Sequence, residues 1–248
     1  MFTTTDALVL REVRYKEADR ILTLLTSAEG KISVKARGAL RKGSRMAAAT
    51  QQLTYSELTL FGNRGKWTVN EAVIKEPFTG LRGDIENFAL GCYFAECLES
   101  LSVEDQPDPA LLQLGLNSLY ALSNRLYSPE QIKAAFELRL MCLSGYEPEL
   151  KSCRVCGNEE PEEPILKLYE GCVCCRRCDD GKGEYAPLCP DSLRALRYIV
   201  SAPAKQLFSF RISEEALVRL GSAAERYLLA QTERQFHTLN YWKNIRIR

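Results

Sequence analysis

The sequence contains only one histidine among its 248 residues, together with three methionines and two tryptophans. Histidine is the side chain that enzymes use most often as a general acid or base, and it is a frequent ligand of catalytic metal ions. His237 stands far from every other candidate ligand in the sequence, and no recognisable motif pairs carboxylates for acid–base chemistry. We therefore expect the protein not to be an enzyme, and we interpret His237 as a surface or helix-capping residue.

Long hydrophobic runs are also missing. The longest, FALGCYFA over residues 88–95, is far shorter than the ~20 apolar residues that a membrane-spanning helix requires. The opening MFTTTDALVLREV lacks the basic start and the apolar stretch of a signal peptide. We therefore expect a cytoplasmic protein, whose ten cysteines serve as metal ligands or buried thiols rather than as disulfides.

Net charge is small over the whole chain, at +1, but it is strongly segregated along the sequence. Residues 1–80 carry a net charge of +5 (13 Lys/Arg against 8 Asp/Glu), and residues 192–248 carry +6 (10 against 4). The middle is acidic, with −7 over residues 81–150 (4 against 11) and −3 over residues 151–191 (6 against 9). Two basic ends indicate contact with a polyanion.

Residues 5–76 have the pattern of β-structure. The segment KISVKAR alternates strictly, with Ile32, Val34 and Ala36 on one face. Four further segments have strand patterns and are separated by turn signals such as SAEGK and GNRGK: ALVLREV, RILTLLT, YSELTLF and WTVNEAVI. Between the third and fourth strands, SRMAAATQQ has a helical composition. This order predicts an OB-fold barrel, while an SH3-like barrel remains open from the pattern.

From Asp84, a candidate N-cap, the apolar residues follow a helical period. Three helices are predicted up to residue 148, and the third has the clearest signals: Ser128 as N-cap, Pro129 in the first turn and Gln131 three residues after the cap. Two more helices are predicted beyond the cysteine-rich region, of which the second is long and basic and ends near Phe236. The expected inward faces of the first three helices are Ile85, Phe88, Ala89, Cys92, Leu98 and Leu101; Leu112, Leu116, Leu119, Leu122 and Leu126; and Ile132, Phe136, Leu140 and Leu143.

Six of the ten cysteines are concentrated in one turn-rich segment. Cys153-x2-Cys156 and Cys175-x2-Cys178 are separated by eighteen residues, which is within the spacing of a structural zinc site. Two thiolates on one tight turn can reach a single ion at ~2.3 Å, and a second such turn completes a tetrahedron. The spacing therefore predicts one structural zinc ion.

The second cysteine pair is not unique in the sequence. Cys172-x2-Cys175 has the same spacing, and Cys174 is a further candidate. We favour Cys175 and Cys178 because Glu170-Gly171 can then form the turn of a hairpin, with CVC as its returning strand. A catalytic zinc or a thiol-exchange site is not indicated, because no histidine is near and a thioredoxin-like βαβ unit is missing.

The segment GALRKGSRM, residues 38–46, has the G-x-x-x-x-G frame of a phosphate-binding loop. A nucleotide-binding loop needs Lys directly after the second Gly, whereas Ser44 follows Gly43 here, so ATP binding is not expected. Between Lys31 and Arg45 the sequence instead has six cations and no acid, which favours a groove that follows phosphates over an ordinary solvated face. The six candidate nucleic-acid-binding residues are Lys31, Lys35, Arg37, Arg41, Lys42 and Arg45.

Other residues are candidates to extend this surface. Four aromatic side chains suit either base stacking or a barrel core, namely Trp67, Tyr15, Tyr55 and Phe61. A second set of cations near the C terminus suits either nucleic acid or an acidic peptide tail beside Leu220 and Phe236, and the sequence does not distinguish the two. This set comprises Arg211, Arg219, Arg226, Arg234, Lys243, Arg246 and Arg248.

Over nearly its whole length the chain resembles the RecO family of bacterial recombination-mediator and DNA repair proteins. The resemblance lies in ALVLREVRYKEADRILTLLTSAEGK, in the basic loop ARGALRKGSRM, and in EAVIKEPFTGLRGDI and YFAECLESL. Its most specific part is RLMCLSGYEPELKSCRVCG, where a helix ends in Gly-Tyr-x-Pro just before the first cysteine pair. In the second pair, the family pattern aligns Cys175 and Cys178 as metal ligands.

The resemblance implies an α+β multidomain fold. Its parts would be a five-stranded OB-fold barrel over residues 1–80, an α-helical domain from residues 81–150 and 187–248, and a small zinc ribbon inserted over residues 151–186. It implies binding of single- and double-stranded DNA and annealing of complementary strands. With RecR, such a protein helps to load RecA onto DNA coated by single-strand-binding protein, whose acidic C-terminal tail it contacts. No membrane or small-molecule substrate is implied, and the protein would be associated with the nucleoid.

Two other classes of function compete with this interpretation. The first is an enzyme, either an ATPase or a zinc hydrolase. The second is a protein-interaction scaffold, whose zinc ribbon binds proteins and whose barrel has no direct affinity for DNA.

Overall fold

The computed structural model describes residues 1–63 and 65–246. Arg64, in the predicted turn GNRGK, and Arg248, in the C-terminal set of cations, lie outside the described residues. The chain divides into two compact units, one of Met1–Asn124 with the segment from Phe236 onward, and one of Arg125–Gln235. The three-domain division over residues 1–80, 81–150 with 187–248, and 151–186 stays a prediction. Among the described helices, none combines the length and apolar character needed to cross a membrane.

Five strands of the first unit form a closed barrel in the order β1-β2-β3-β5-β4, with β4 returning to β1. The strand pairs are antiparallel except β3 and β5, which are parallel, and this OB-like order confirms the predicted barrel. The predicted alternation is confirmed as well, since Ile32, Val34 and Ala36 are buried in the barrel core. The strands are β1 (Phe2–Tyr15), β2 (Asp19–Thr26), β3 (Gly30–Ala36), β4 (Tyr55–Asn63) and β5 (Lys66–Glu76).

The segment between β3 and β4 is a series of turns, so the helix predicted from SRMAAATQQ is wrong. Its carbonyl groups accept hydrogen bonds from side chains of the barrel. Arg20 Nη1 donates to the Ala47 carbonyl at 2.8 Å, and Ser56 Oγ donates to the Ala49 carbonyl at 3.0 Å. A helix needs its carbonyls for its own N–H groups, and here the contacts with the barrel outweigh the helical composition.

Four helices complete the first unit. The predicted N-cap of the second of these helices, Ile85–Leu101, is confirmed. The Asp84 carboxylate accepts hydrogen bonds from the backbone N–H groups of Glu86 and Asn87, both at 3.1 Å. This helix packs against β1 and three other helices, so most of its circumference is buried. Ile85, predicted to face inward, is nevertheless 65% exposed at its first turn. The helices are α1 (Thr79–Arg82), α2 (Ile85–Leu101), α3 (Pro109–Ser123) and α7 (His237–Arg246).

The C-terminal helical region differs from the prediction of one long helix ending near Phe236. The long helix stops at Thr232, and α7 begins separately at His237. The carboxylate of Glu96 on α2 accepts hydrogen bonds from the backbone N–H groups of His237 (3.3 Å) and Thr238 (3.0 Å). A carboxylate at a helix N-terminus also interacts favourably with the helix dipole, and this long-range cap explains where α7 starts.

The second unit is built around the helix with the clearest sequence signals. Ser128 Oγ accepts a hydrogen bond from the Gln131 N–H at 3.2 Å, which confirms the predicted N-cap. The inward stripe of this helix is confirmed at Ile132, Phe136 and Leu140, whereas Leu126, predicted on the preceding helix, lies outside α3 and is exposed. The helices of this unit are α4 (Pro129–Leu143), α5 (Pro190–Ser201) and α6 (Glu214–Thr232).

A three-stranded antiparallel sheet in the order β7-β6-β8 occupies the cysteine-rich part of the second unit. The predicted hairpin is present, and its turn contains Gly171 with a φ of +63°. The third strand was not predicted, because three residues after a turn-rich segment are too few to show a period. The strands are β6 (Pro164–Lys167), β7 (Cys172–Cys175) and β8 (Tyr185–Pro187).

We expect Gly30→Ala to destabilise the first unit much more than Gly43→Ala. Both glycines have φ near +70°, at +70° and +76°, so each alanine carries a backbone strain of ~1 to 2 kcal/mol. A Cβ at Gly30 would lie 2.2 Å from the Gln106 carbonyl oxygen, whereas a Cβ at Gly43 would meet no atom within 4 Å. The clash should raise the total loss for Gly30→Ala to about 3 kcal/mol or more.

Thermal unfolding of the two variants checks this expectation, and Gly43→Ala serves as the matched control for the strained backbone. Equal unfolding temperatures for the two variants would contradict the close approach of the loop after α2 to the start of β3.

Candidate nucleic-acid interface and metal centre

The basic segment between β3 and β4 is fixed at its start by the turn between β1 and β2. The Gly38 N–H donates to Asp19 Oδ1 at 2.8 Å, and the Leu40 N–H donates to the Ala18 carbonyl at 2.9 Å. The Gly38 N–H, followed by the Lys35 ammonium, lowers the pKa of the Asp19 carboxyl. Asp19 is therefore ionised at neutral pH and holds the segment in place.

Four of the six predicted cations lie in or beside this segment with exposed side chains. Within residues 1–63 and 65–246, none of the four forms a salt bridge with an acidic side chain. Their charges are therefore available to a ligand. We call these four residues the loop cations: Arg37, Arg41, Lys42 and Arg45.

The other two predicted cations are already engaged. Lys35 Nζ lies 2.9 Å from Asp19 Oδ2 and 4.9 Å from the centre of the Tyr15 ring. Lys31 Nζ donates to the Glu99 carbonyl of α2 at 2.9 Å. These two lysines lie on the outer face of β3, and the structure gives them partners within the protein.

The segment does not form a cradle for a nucleotide phosphate. Although Gly38 and Gly43 both have positive φ, the N–H groups of Arg41 and Ser44 donate to carbonyls within the segment itself. In a phosphate-binding loop such N–H groups point at the ligand and a helix follows, whereas residues 44–54 form turns. This geometry supports the prediction from sequence that the frame is not a nucleotide site.

The four candidate stacking residues have different surroundings. Trp67 packs against the barrel core and against Gly62, and burial is the main cause of the raised pKa of Tyr55. Tyr15 is 43% exposed and lies beside Lys35, whereas Phe61 is 38% exposed on the outer face of β4. Tyr15 and Phe61 are therefore the two that present their rings to solvent.

The second group of candidate ligands, the four predicted cysteines, comes together in the second unit. The Sγ atoms of Cys153, Cys156, Cys175 and Cys178 all lie within 4.8 Å of one another. Cys153 and Cys175 are buried, Cys178 is half-buried and Cys156 is exposed. Four sulfur atoms at this separation can surround one ion tetrahedrally.

Local structure explains how each cysteine pair reaches the cluster. In the first pair, the Gly157 N–H donates to the Cys153 carbonyl at 2.9 Å, and Gly157 adopts a φ of +74°. In the second pair, Cys175 ends β7, and a single 3₁₀ turn over Arg176–Cys178 places the Cys178 thiol beside the other three. The Cys175 N–H also donates to Cys153 Sγ at 3.3 Å, which links the two turns.

The electrostatics of the cluster suit a cation. Burial opposes ionisation of Cys153, but backbone N–H groups, including those of Cys156 and Cys175, outweigh it and lower the pKa of this thiol to about 6. Burial and the neighbouring thiols raise the pKa of Cys175 to about 12, and hydrogen bonding to Cys156 contributes most to the raised pKa of Cys178. One thiolate therefore opposes the formation of others, and a divalent ion would remove this repulsion.

The alternative thiols, Cys172 and Cys174, lie on β7 in buried positions and do not belong to the group of four. Cys172 interacts with the side chain of Arg154. The geometry therefore favours the set of ligands preferred from the hairpin.

The sequence did not predict one stabilising contact of this region, which is made by a buried lysine. Lys167 on β6 is buried and forms salt bridges with Asp179 at 2.9 Å and Asp180 at 3.2 Å, directly after the second cysteine pair. A hydrogen bond from Lys167 is the main cause of the lowered pKa of Asp179, whereas the backbone N–H of Lys182, followed by Lys167, lowers the pKa of Asp180. A lysine in a strand pattern predicts a solvent-facing side chain, so only the three-dimensional structure could reveal this contact.

The C-terminal cations are partly engaged as well. Arg219 forms a salt bridge with Glu215 at 2.9 Å, and Arg226 forms one with Glu184 at 3.4 Å. Arg211 is exposed.

Comparison with known proteins gives matches over almost the entire chain. Residues 1–78 match the family model "Recombination protein O N terminal", and residues 82–240 match "Recombination protein O C terminal". Curated relatives carry the name "DNA repair protein RecO". The one from Acetivibrio thermocellus is 35% identical over 244 residues, covering 98% of this chain and 97% of the relative. The one from Symbiobacterium thermophilum is 32% identical over 249 residues, covering 97% and 96%.

Proposed function

Since the chain belongs to the RecO family of DNA repair proteins, we propose that it is a recombination mediator that binds DNA through the phosphate backbone. It binds single- and double-stranded DNA and anneals complementary strands, and it carries out no covalent reaction.

The observation that carries this proposal is the set of loop cations. Four exposed cations, which have no acidic partner in the part of the chain that the structure describes, concentrate positive potential on a segment that the barrel holds in place. Each phosphate that they neutralise releases counterions, which supplies affinity without regard to base sequence. Such binding suits a protein that must engage any strand exposed by damage.

The partners proposed for this role are proteins of the same repair process. With RecR, the protein helps to load RecA onto DNA coated by single-strand-binding protein. We propose that the acidic C-terminal tail of that protein meets C-terminal cations such as Arg211, which is exposed. Lys and Arg suit such a tail because a carboxylate-rich peptide is itself a polyanion.

The cysteine cluster is proposed to hold one structural zinc ion in a ribbon over residues 151–186. Cys153, Cys156, Cys175 and Cys178 would be its ligands, as their mutual distances permit. The ion would fix the two turns and, through them, the three short strands of the sheet.

Fluorescence anisotropy of a labelled 30-nucleotide single strand, titrated with the protein across a salt series, tests the proposal. We expect sub-micromolar binding at low salt that weakens steeply as salt rises, and annealing of complementary strands without any nucleotide. Binding to a protein partner with no affinity for DNA at low salt would overturn the proposal in favour of a scaffold. Annealing that required ATP would favour an enzyme.

A further inference from the structure

A row of outward-facing side chains crosses four strands of the barrel beside the loop cations. In the register of the strands, Lys35 of β3 lies opposite Thr68 of β5, Thr68 lies opposite Phe61 of β4, and Phe61 lies opposite Phe2 of β1. Directly opposed residues project from the same face of a sheet. We call these four residues the barrel row.

The barrel row faces solvent because its neighbours along the strands fill the core. Val34, Leu60 and Val69 are all buried, and successive side chains of a strand point to opposite faces. Phe2 is 63% exposed and Phe61 is 38% exposed. The two rings contact each other with their centres 5.1 Å apart and their planes at 49°. Two large aromatic rings therefore form a pair on the outside of a barrel that has no open edge.

The charges around this aromatic pair suit an anionic ligand. One end of the barrel row is Lys35, whose charge is shared with Asp19, and Arg37, a loop cation, follows it at the next outward-facing position. In the neighbouring outward row, Thr4 of β1 lies opposite Thr59 of β4 with their Oγ1 atoms 3.4 Å apart, and Thr59 lies opposite the exposed Glu71 of β5 across an irregularity in the pairing. The barrel row itself carries no carboxylate, and Glu71 is the acidic residue of the neighbouring row. A surface with aromatic rings, neutral hydrogen-bonding groups and flanking cations has the composition that unpaired nucleotides prefer.

We propose that a single strand of nucleic acid lies along the barrel row, with bases stacked on Phe61 and Phe2 and phosphates directed toward the loop cations at the Lys35 end of the row. This inference rests on the function proposed above. It adds the path that the strand takes across the barrel and a preference for single strands over duplexes. Four positions at the ~4.8 Å spacing between strands cover about 14 Å, which is enough for several stacked bases. A duplex keeps its bases inside, so the aromatic pair contributes to the binding of single strands and not to that of duplexes.

Variants of the aromatic pair test this inference in the full-length protein. The probes are a labelled 15-nucleotide oligothymidine and a mixed-sequence duplex of 15 base pairs. Phe2→Ser and Phe61→Ser are expected to weaken single-strand binding by about 5- to 100-fold, which is the usual range for loss of one base–aromatic contact. Duplex binding and the salt slope of the remaining single-strand binding should stay unchanged, because no cation is lost.

Two further variants keep the test decisive. Phe61→Trp retains a stacking surface, so it should bind the single strand as the wild type does and its indole emission should be quenched on binding. Val73→Ser is the matched control, since Val73 is 62% exposed on the same barrel but lies opposite Glu57, away from the aromatic pair. It should leave both affinities unchanged.

The possible failures are distinguishable. If the wild type binds neither probe, the proposed function itself is wrong. If the wild type binds DNA but both serine variants bind the single strand equally well, or lose duplex binding to the same extent, the barrel row is not the path. A change of oligomeric state in the serine variants would assign the aromatic pair to a contact between copies of the chain and would also overturn the inference.

Discussion

Replacing Arg41 and Lys42 together by alanine is expected to weaken single-strand binding roughly 10- to 30-fold near 0.1 M salt. The plot of log affinity against log salt should become flatter by about 1.4 units, since each phosphate contact on a single strand contributes ~0.7. Both side chains are exposed and lack acidic partners among the described residues, so their removal should leave the unfolding temperature unchanged. Anisotropy titrations at four or more salt concentrations give both quantities.

The control for this prediction is another exposed cation of the same barrel. Lys75 on β5 forms salt bridges with Asp6 at 2.5 Å and Glu57 at 3.7 Å. The two carboxylates neutralise the charge of Lys75. Lys75→Ala should therefore change neither the affinity for the single strand nor the slope of its salt dependence, although it lowers the net charge of the chain. If Lys75→Ala reduced the slope as much, per charge removed, as the double variant does, net charge alone would drive binding. The loop cations would then have no special role.

Sequence was most informative where the determinants of structure are local. The N-terminus of α4 follows from Ser128, Pro129 and Gln131, because an N-cap bond joins residues three positions apart. The cysteine cluster was equally predictable, since each pair sits on its own tight turn and the hairpin between them is short. In both cases the chemistry of a few adjacent residues determines the geometry.

Sequence failed where a distant partner decides the outcome. The carbonyls of Ala47 and Ala49 accept hydrogen bonds from the side chains of Arg20 and Ser56 rather than from helical N–H groups. The start of α7 depends on Glu96, more than 130 positions earlier in the chain. The barrel row is of the same kind. Phe2 and Phe61 meet only because of the pairing register of β1 and β4, and a one-residue slip would move both to the other face.

Replacing the exposed Cys156 by serine is expected to remove most of the bound zinc and to loosen the sheet β6–β8. The apparent free energy of binding structural zinc is ~10 to 16 kcal/mol for small domains. Loss of one of the four thiolates removes a large part of this binding energy. The measurements are zinc content per chain, expected to be one in the wild type, and amide hydrogen exchange over Pro164–Lys167 and Cys172–Cys175. An excess of a strong chelator should reproduce both effects in the wild type.

The comparison that decides this prediction is Cys174→Ser, because packing and metal binding have opposite consequences at the two positions. Cys174 is 6% exposed and packs in the core of the sheet, whereas Cys156 is exposed. If packing alone stabilised this region, the buried cysteine would be the costlier one to replace. If the group of four holds a metal ion, the exposed cysteine becomes the more costly one to replace. Cys156→Ser then loses the zinc ion and the protection of the strands from amide hydrogen exchange, whereas Cys174→Ser retains the ion. Greater damage from Cys174→Ser, with zinc retained in Cys156→Ser, would show that the ligands include thiols other than those that lie closest together.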